Sequence, residues 1–398
     1  MNPKQPLPGS FQEHFNDLKD HRLARTRKYP LLQILFMAFS AILVGCKGWD
    51  EIAFFVKTKQ TWFELWFELP HGTPCSDTFQ RVFERLDPKA FSAAFEAWLL
   101  QLRKLLPGDI LALDGKAIKG AFETSARTTP LHLLHVWATR QKVLLSQLAV
   151  DGAPGEIAGT QLLLQTLSVA GCVLIADANG CTQKNAAAII DAKAGYVFGL
   201  KGNRGAIHKQ TNKLFEKARE LSSSAELTVI TEAPGPVIKE HQEADKGHGR
   251  LEERATRVMK AEVLPEKMRE KWKGLQTLVC IERRRTIGEK TSHETHYYLS
   301  SLAPNAERLG EAIRAYWSVE NQLHYVLDVT MGEDECRVRN FTSAENLGTL
   351  RRQALGLLNH PESGKGSVVM KMRAAGWDDN YRTKLLCISA QMPKNQAP

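Results

Sequence analysis

Three carboxylates stand out among the 44 acidic residues of this 398-residue chain. Asp114 closes the apolar run Asp109–Asp114 (DILALD), and Asp177 closes Cys172–Asp177 (CVLIAD). Each run reads as a short strand, so each Asp is predicted at a strand end. Glu320 lies on a later helix whose apolar stripe runs through Leu309, Ile313, Trp317, Leu323, Val326 and Leu327. Steps of three and four from Ile313 and Trp317 land on Glu320, which predicts a carboxylate on the core-facing side. Such a placement is costly unless the acid is paired or ligates a cation. If the two strands are neighbours and the helix packs across them, the three acids converge, and they repel one another unless a divalent ion joins them. Hard oxygen ligands suit Mg²⁺ or Mn²⁺. Two such ions about 3.5–4 Å apart clamp the attacking and leaving oxygens of an in-line phosphoryl displacement. His324, one turn beyond Glu320, is a candidate to orient this site; a hydrogen-bonded core histidine is an equal reading.

The elements that must position these acids follow from the pattern of apolar residues. Residues 11–105 read as helical, with three-to-four spacing in Ile52, Phe55 and Val56 and again in Phe91, Phe95, Trp98 and Leu99. Leu106-Pro107-Gly108 is a break. Beyond it the order reads β-β-β-α-β-α-β: strands at 109–114, 131–139 and 143–150, a helix at 159–170, a strand at 172–177, a helix at 183–194 and a strand at 196–201. Arg140-Gln141-Lys142 reads as the hairpin turn between the second and third strands. A basic helix over 204–221 and polar strands near 250–259, 276–285 and 296–302 suggest an inserted, mainly β subdomain. A long helix begins at Pro304 and the remainder is helical. The expected division is 1–106 (helical, DNA-binding), 107–203 (first part of the α/β core), 204–303 (insertion) and 304–398 (helices completing the core).

Composition bounds the partner. The chain has 53 Lys and Arg against 44 Asp and Glu, a formal charge of +9, with 43% hydrophobic and 24% charged residues. That excludes a disordered chain and favours a polyanion, though a merely basic enzyme fits the composition equally well. Seven cysteines without any C-x-x-C pair point to a reduced, cytoplasmic setting rather than a zinc ribbon. The N-terminus carries no signal-peptide pattern. Tyr29–Cys46 is nearly all apolar and follows Arg22, Arg25, Arg27 and Lys28. Its 18 residues are at the lower limit for a membrane span, so a buried helix is the better reading and no membrane partner is expected.

Five blocks in order resemble one family. RKYPLLQILFMAFSAILVGCKGWDEIA and GTPCSDTFQRVFERLDP resemble its helical N-terminal region; ALDGKAIKGA around Asp114 resembles its first catalytic motif; IADANGC around Asp177, followed by GYVFGLKGNRG, resembles its second; KGHGRLEER at 246–254 resembles a further block; and IRAYWSVENQLHYVLDVTMGEDECRVR around Glu320 resembles its third. The chain is thereby identified as a member of the ISAs1-type branch of the IS4-like insertion-sequence transposases, which includes the H-repeat-associated proteins. The resemblance spans about residues 10–390. It implies an RNase H-like core, a mixed five-stranded sheet with helices interrupted by the insertion, plus an all-α N-terminal domain. It implies Asp114, Asp177 and Glu320 as catalytic ligands of two Mg²⁺. It further implies cleavage at the element's ends, strand transfer into target DNA, and oligomerisation on double-stranded DNA bearing terminal inverted repeats.

The chain departs from the family in places. Related enzymes carry a Tyr–Arg–Glu–Lys signature around the glutamate, whereas here Tyr316 lies four before Glu320 and Leu327 seven after, with Arg314 and Asp328 out of register. Thr182 stands where Gln is frequent, with Gln183 next, and Tyr325 where Trp is common. Further candidates each have a plainer reading. Lys116 and Lys119 could contact phosphate or be solvated loop charges. Leu113-Asp114-Gly115-Lys116 lacks the glycine spacing of a phosphate loop. Lys201, Arg204, Lys209, Lys213 and Lys217 form a run that suits a DNA track or a solvated helix face. His248 and Arg250 could steady a phosphate or serve the insertion's structure. His132 and His135 fall on opposite faces of a strand, which argues against a shared metal. Glu333, Asp334 and Glu335 read as surface. Cys75 and Cys181 lack a His–Asn partner pattern for a thiol nucleophile. The alternative to an active transposase is a catalytically silent or domesticated transposase-like protein that binds DNA without cutting it.

Overall fold

The computed structural model describes residues 6–99, 104–118, 130–223, 238–247 and 250–388. Helices α1 (Phe11–Phe15), α2 (Leu31–Leu43), α3 (Trp49–Thr58), α4 (Gln60–Phe63), α5 (Ser76–Phe83) and α6 (Pro88–Trp98) come first. Then follow β1 (Ile110–Ile118), β2 (Leu131–Ala138), β3 (Val143–Val150), α7 (Gly152–Thr166), β4 (Val173–Ala176), α8 (Gln183–Asp191) and β5 (Gly195–Leu200). This is the predicted β-β-β-α-β-α-β order. Next come α9 (Gly205–Ser223), β6 (Lys239–Gly247), β7 (Arg250–Lys260), α10 (Glu266–Arg269), β8 (Thr277–Ile287) and β9 (Lys290–Ser300). Helices α11 (Ala306–Val319), α12 (Phe341–Asn359), α13 (Val368–Trp377) and α14 (Asp379–Cys387) close the chain. Strand β6 was not anticipated: its nine residues KEHQEADKG are polar and carry no alternation, and only its pairing with β7 makes it a strand.

The chain divides into two compact units: Met1–Lys104, Gly115–Gly155 and Val319–Pro398 form the first, and Leu105–Asp114 with Glu156–Ser318 the second. Strand β1 passes from the second unit to the first between Asp114 and Gly115.

In the first unit, α12 packs against α2, α5 and α6 and against β2 and β3. The apolar segment expected as a buried helix is α2, whose residues Ile34 to Leu43 are all buried. Its 13 residues are short for a bilayer, and among the described residues no helix is long and apolar enough to cross a membrane. Aromatic rings fill the space between the N-terminal helices: Phe11 stacks on Phe15 at 3.9 Å, and Trp98 meets Phe11 edge-on at 5.1 Å. Strands β2 and β3 form the expected antiparallel hairpin. Lys142, at φ +55°, closes it by donating its N–H to Ala138 O at 2.8 Å.

The second unit holds a mixed sheet in the order β1-β4-β5-β9-β8-β7-β6. Strands β1, β4 and β5 run parallel; β9 turns the sheet antiparallel and leads into a meander back to β6. β4 is VLIA and fully buried, as a parallel strand covered on both faces must be. One face of this sheet is closed by α11, whose Ala306, Leu309, Ala312 and Ile313 share a core with Val173, Ile175, Val197, Val258 and Val279.

Of the acidic run at 333–335, Glu335 lies at the surface as expected from sequence and Glu333 does not. Glu333 is fully buried and meets the equally buried Arg352 of α12 in two parallel bonds, Nη1–Oε1 at 2.7 Å and Nη2–Oε2 at 3.0 Å. A run of three acids gives no sign of a partner 19 residues downstream. Burial pushes the Glu333 carboxyl up, but Arg352, Arg351 and Lys116 outweigh it and hold the group below its usual value of 4.5. Replacing Glu333 by Gln leaves Arg352 an uncompensated buried charge, so we expect a loss of about 3–5 kcal/mol in denaturant unfolding. A depressed pKa contributes stability above the unfolded value and loses it as pH falls through the folded one. The wild-type advantage over Glu333→Gln should therefore be constant near neutrality and shrink below about pH 4.5.

Candidate active site

The site begins with strand register. In the parallel β1–β4 pair Leu113 lies opposite Ala176, so Asp114 and Asp177 come next in register; Asp177 directly follows β4, whereas Asp114 lies inside β1, which runs on to Ile118, and not at the strand end expected from sequence. Neighbouring strands are about 4.8 Å apart, within which two carboxylates share one electrostatic environment. Both are half-buried. The Asp177 Oδ1 accepts from the N–H of Asn179 at 2.8 Å and of Gly180 at 3.2 Å, which folds the chain into a tight turn. Two glycines make room for it. A Cβ on Gly180 would lie 2.6 Å from the Ala176 Cβ, and one on Gly199 of β5 would press at 3.4 Å on the Asp177 carbonyl carbon and the Ala178 nitrogen.

A third group reports on both acids. Tyr316, on α11, has its hydroxyl pushed well above its ordinary value of 10 by burial, then by the charges of Asp114 and Asp177. It stays protonated at neutral pH. Sequence analysis placed Tyr316 only as a family signature position; its proximity to the two Asp residues comes from α11 packing on the sheet.

Glu320 is where the sequence periodicity misleads. It is exposed, not on the buried stripe. The helix changes pitch at this residue: Glu320–His324 and Val326–Thr330 are π-helical, with Tyr325 N–H bonded to Glu320 O and Met331 N–H to Val326 O. Beyond it the buried positions are Leu323, His324 and Leu327. π-turns of this kind recur at functional sites. His324 is buried and its ring lies 5.5 Å from that of His135 on β2, edge to face.

Lys116 is not a solvated loop charge. It lies on β1 two residues past Asp114, hence on the same strand face, and its side chain is only 10% exposed. Its ammonium is paired with Asp328 of the π-helical segment and lies 3.9 Å from Glu333 and 3.8 Å from Asp334. Sequence separation hid this cluster, which ties the continuation of β1 to the segment following Glu320.

The remaining basic candidates are dispersed. Lys201 is exposed at the end of β5. Arg204 is half-buried and its Nη2 donates to Asn179 O at 3.3 Å, in the Asp177 turn. Lys209, Lys213 and Lys217 line the exposed side of α9 at intervals of four, opposite buried Thr211, Phe215 and Ala218. Arg250 is exposed at the start of β7, its Nε 3.5 Å from Glu252. Lys119 and His248 lie outside the described residues. The Cys181 thiol is pushed up to about 12 by burial, against the nearby Arg204, which makes it a poor nucleophile at neutral pH.

Two family models match the chain. One described as "Transposase DDE domain" covers residues 106–356, and one described as "DDE_Tnp_1-associated" covers 12–99. Among curated proteins, "Putative protein YbfL" of Escherichia coli (strain K12) is 31% identical over 384 residues, 94% of this chain and 97% of that protein. "H repeat-associated putative transposase YhhI" of the same strain is 30% identical, with the same coverage of 94% and 97%. "Putative transposase YncI" of Escherichia coli O157:H7 is 29% identical over 388 residues, 96% of each chain. A solved structure titled "Cryo-EM structure of piggyBac transposase synaptic complex with hairpin DNA (SNHP)" superposes with TM-score 0.43 and 10% identity over 96% of this chain and 78% of that one. At that score the likeness bears on neither fold nor function.

The Lys116 cluster makes a measurable claim. Lys116→Met leaves acids with less compensation in a nearly dry setting, so it should destabilise the chain by roughly 2–4 kcal/mol. Asp328→Asn should cost less, and the double variant less than the sum, with a coupling of about 1–3 kcal/mol in a double-mutant cycle followed by urea unfolding. Strict additivity would remove the pairing from the account.

Proposed function

This chain belongs to the transposase DDE domain family, and from that premise we propose that it is an insertion-sequence transposase of the ISAs1 branch. In this reading it cuts phosphodiester bonds at the ends of its element and joins the freed strands to target DNA. The observation that carries the reading is the register that sets Asp114 of β1 beside Asp177 at the end of β4, with the Tyr316 hydroxyl kept protonated by burial and then by the charges of both. The sheet order supports an RNase H-like core: β3-β2-β1 in the first unit and β1-β4-β5 in the second, antiparallel in the β2–β3 pair and parallel in β1, β4 and β5.

The donor set fits a hard divalent cation. Two carboxylates share one short stretch of sheet, and Asp177 spends Oδ1 on its own turn while Oδ2 has no hydrogen-bond partner among the described residues. Asp114, Asp177 and Glu320 would hold two Mg²⁺, with Mn²⁺ as a substitute. Bound there, the ions supply charge stabilisation to the attacking and leaving oxygens of an in-line displacement. The chain's own residues do the rest. The turn 177–180 fixes the Asp177 carboxylate, Tyr316 offers a proton for a hydrogen bond and withholds itself as a base, and the exposure of Glu320 leaves it open to a ligand. His324 would steady the segment behind Glu320. Lys201, Arg204 and Arg250, with Lys119 and His248, are the proposed DNA contacts. Lys116 is excluded from that group by its ion pairs. The partners are double-stranded DNA, as terminal inverted repeats and target, and further copies of this chain assembled on it. The setting is the cytoplasm, with the nucleoid as the place of action.

The test is cleavage of duplex DNA carrying the element's flanking repeat, with Mg²⁺ and with EDTA. Cleavage should require the metal and fall by roughly 10³-fold or more in Asp114→Asn, Asp177→Asn and Glu320→Gln, because several kcal/mol of transition-state stabilisation is removed. Binding of the duplex should survive in all three. DNA bound but never cut, across Mg²⁺ and Mn²⁺, would instead identify a silent, DNA-binding descendant.

A further inference from the structure

Beyond the Asp177 turn the second unit carries a groove of about 460 Å³ whose chemistry the carboxylate site does not use. Three cations line it, Arg204, Lys267 and Lys271, and no carboxylate does. Lys267 and Lys271 are exposed, one helical turn apart on α10 and its continuation. Beneath them Ile207, Met268 and Trp272 supply an apolar floor, with Ile207 and Trp272 each 5% exposed. The first turns of α8 and α9 also reach the groove, through Gln183 and Ile207, and the unsatisfied N–H groups of a helix start carry positive partial charge.

The groove is tied to the candidate active site by short bonds. Arg204 lines it and donates from Nη2 to Asn179 O, while the neighbouring Asn203 donates from Nδ2 to Ala178 O at 3.0 Å. Both acceptors belong to the loop that begins at Asp177. The Arg204 Nε is buried and has no hydrogen-bond partner among the described residues. A lone small anion would satisfy the cations but leave the apolar floor idle. A sugar–phosphate strand uses both, since its phosphates meet the amines and its deoxyribose rings lie on the floor.

We propose that this groove grips the backbone of the DNA strand adjoining the Asp114–Asp177 pair. The proposal rests on the transposase reading and adds to it the place where the strand is held. Lys267 and Lys271 are its binding residues. Arg204 has a second role in bracing the Asp177 turn, so it is unsuitable as a test position.

The experiment uses the full chain and a random-sequence duplex of about 30 base pairs, long enough to offer several phosphate contacts. Fluorescence anisotropy measures binding across a salt series for wild type, Lys267→Ala/Lys271→Ala, and a control pair, Lys239→Ala/Lys290→Ala, which are exposed in the same unit, form no ion pair among the described residues and do not line the groove. Each phosphate contact contributes about 0.9 to the slope of log K against log salt. The groove pair should therefore lower the slope by about 1.8 and weaken low-salt binding, at an unchanged melting temperature. The control pair should lower it clearly less. A groove pair with wild-type slope overturns the proposal, and so does an equal loss from the control pair, which would mean that net charge alone is at work. Wild-type protein that binds but never cuts, with the slope still lost in the groove pair, counts against the cleavage reading and leaves the groove standing. Wild-type cleavage with an unchanged slope counts against the groove alone.

Discussion

Everything proposed for this chain hangs on the register of one parallel strand pair. With Leu113 opposite Ala176, the next residue on each of two neighbouring strand paths is a carboxylate at the same level. A slip of one residue would invert the facing of every side chain on the shifted strand, and the fully buried VLIA of β4 resists that. The fold thus forces together two like charges that would separate if free. Burial first, and then the field of both acids, suppresses ionisation of the Tyr316 phenol. Two like charges held this close repel one another unless a cation joins them.

The first unit treats its acids in the opposite way. Glu333 is matched to Arg352 on both oxygens, and Lys116 is set among Asp328, Glu333 and Asp334. Buried pairs of this sort are weak as a source of stability compared with apolar packing, but breaking one side is expensive. Their geometric consequence is more useful. The Lys116–Asp328 pair joins the first unit's part of β1 to its π-helical segment Val326–Thr330. Along the π-helical segments Leu323 and Leu327 are buried, while Glu320 at their start is exposed.

What the sequence made legible was what short-range pattern encodes. The order of strands and helices from Ile110 to Leu200, the β2–β3 hairpin and the burial of α2 all followed from periodicity and turn residues. Both aspartates were found because an acid closing an apolar run breaks the pattern of that run. Glu320 was found by a step count along a helical stripe, and the family blocks named the same residue, but the expected facing was wrong, since Glu320 is exposed. Glu333 and Lys116 were misjudged because their partners are distant: Arg352 is 19 residues from Glu333, and Asp328 is 212 residues from Lys116. Strand β6 carries no apolar face at all, so only its neighbour β7 could reveal it.

The excess of nine positive charges acquires a location once the ion pairs are traced. Across β6–β9 the arginines are largely spent on local acids: Arg254 on Glu243 and Glu252, Arg257 on Glu240 and Glu282, Arg283 on Glu294. Even Arg314 of α11 is committed to Glu243 and Asp245. By contrast Lys201, Lys209, Lys213, Lys217, Lys267 and Lys271 form no ion pair among the described residues, and all are exposed. They stand at the end of β5, along α9 and on α10, the elements that follow the Asp177 strand and line or adjoin the groove. Paired charges cancel within a few ångströms, whereas unpaired ones of one sign sum into a field that reaches about a Debye length into solution. The arginines of the sheet are thus largely neutralised by local acids, while the lysines of α9 and α10 remain unpaired among the described residues.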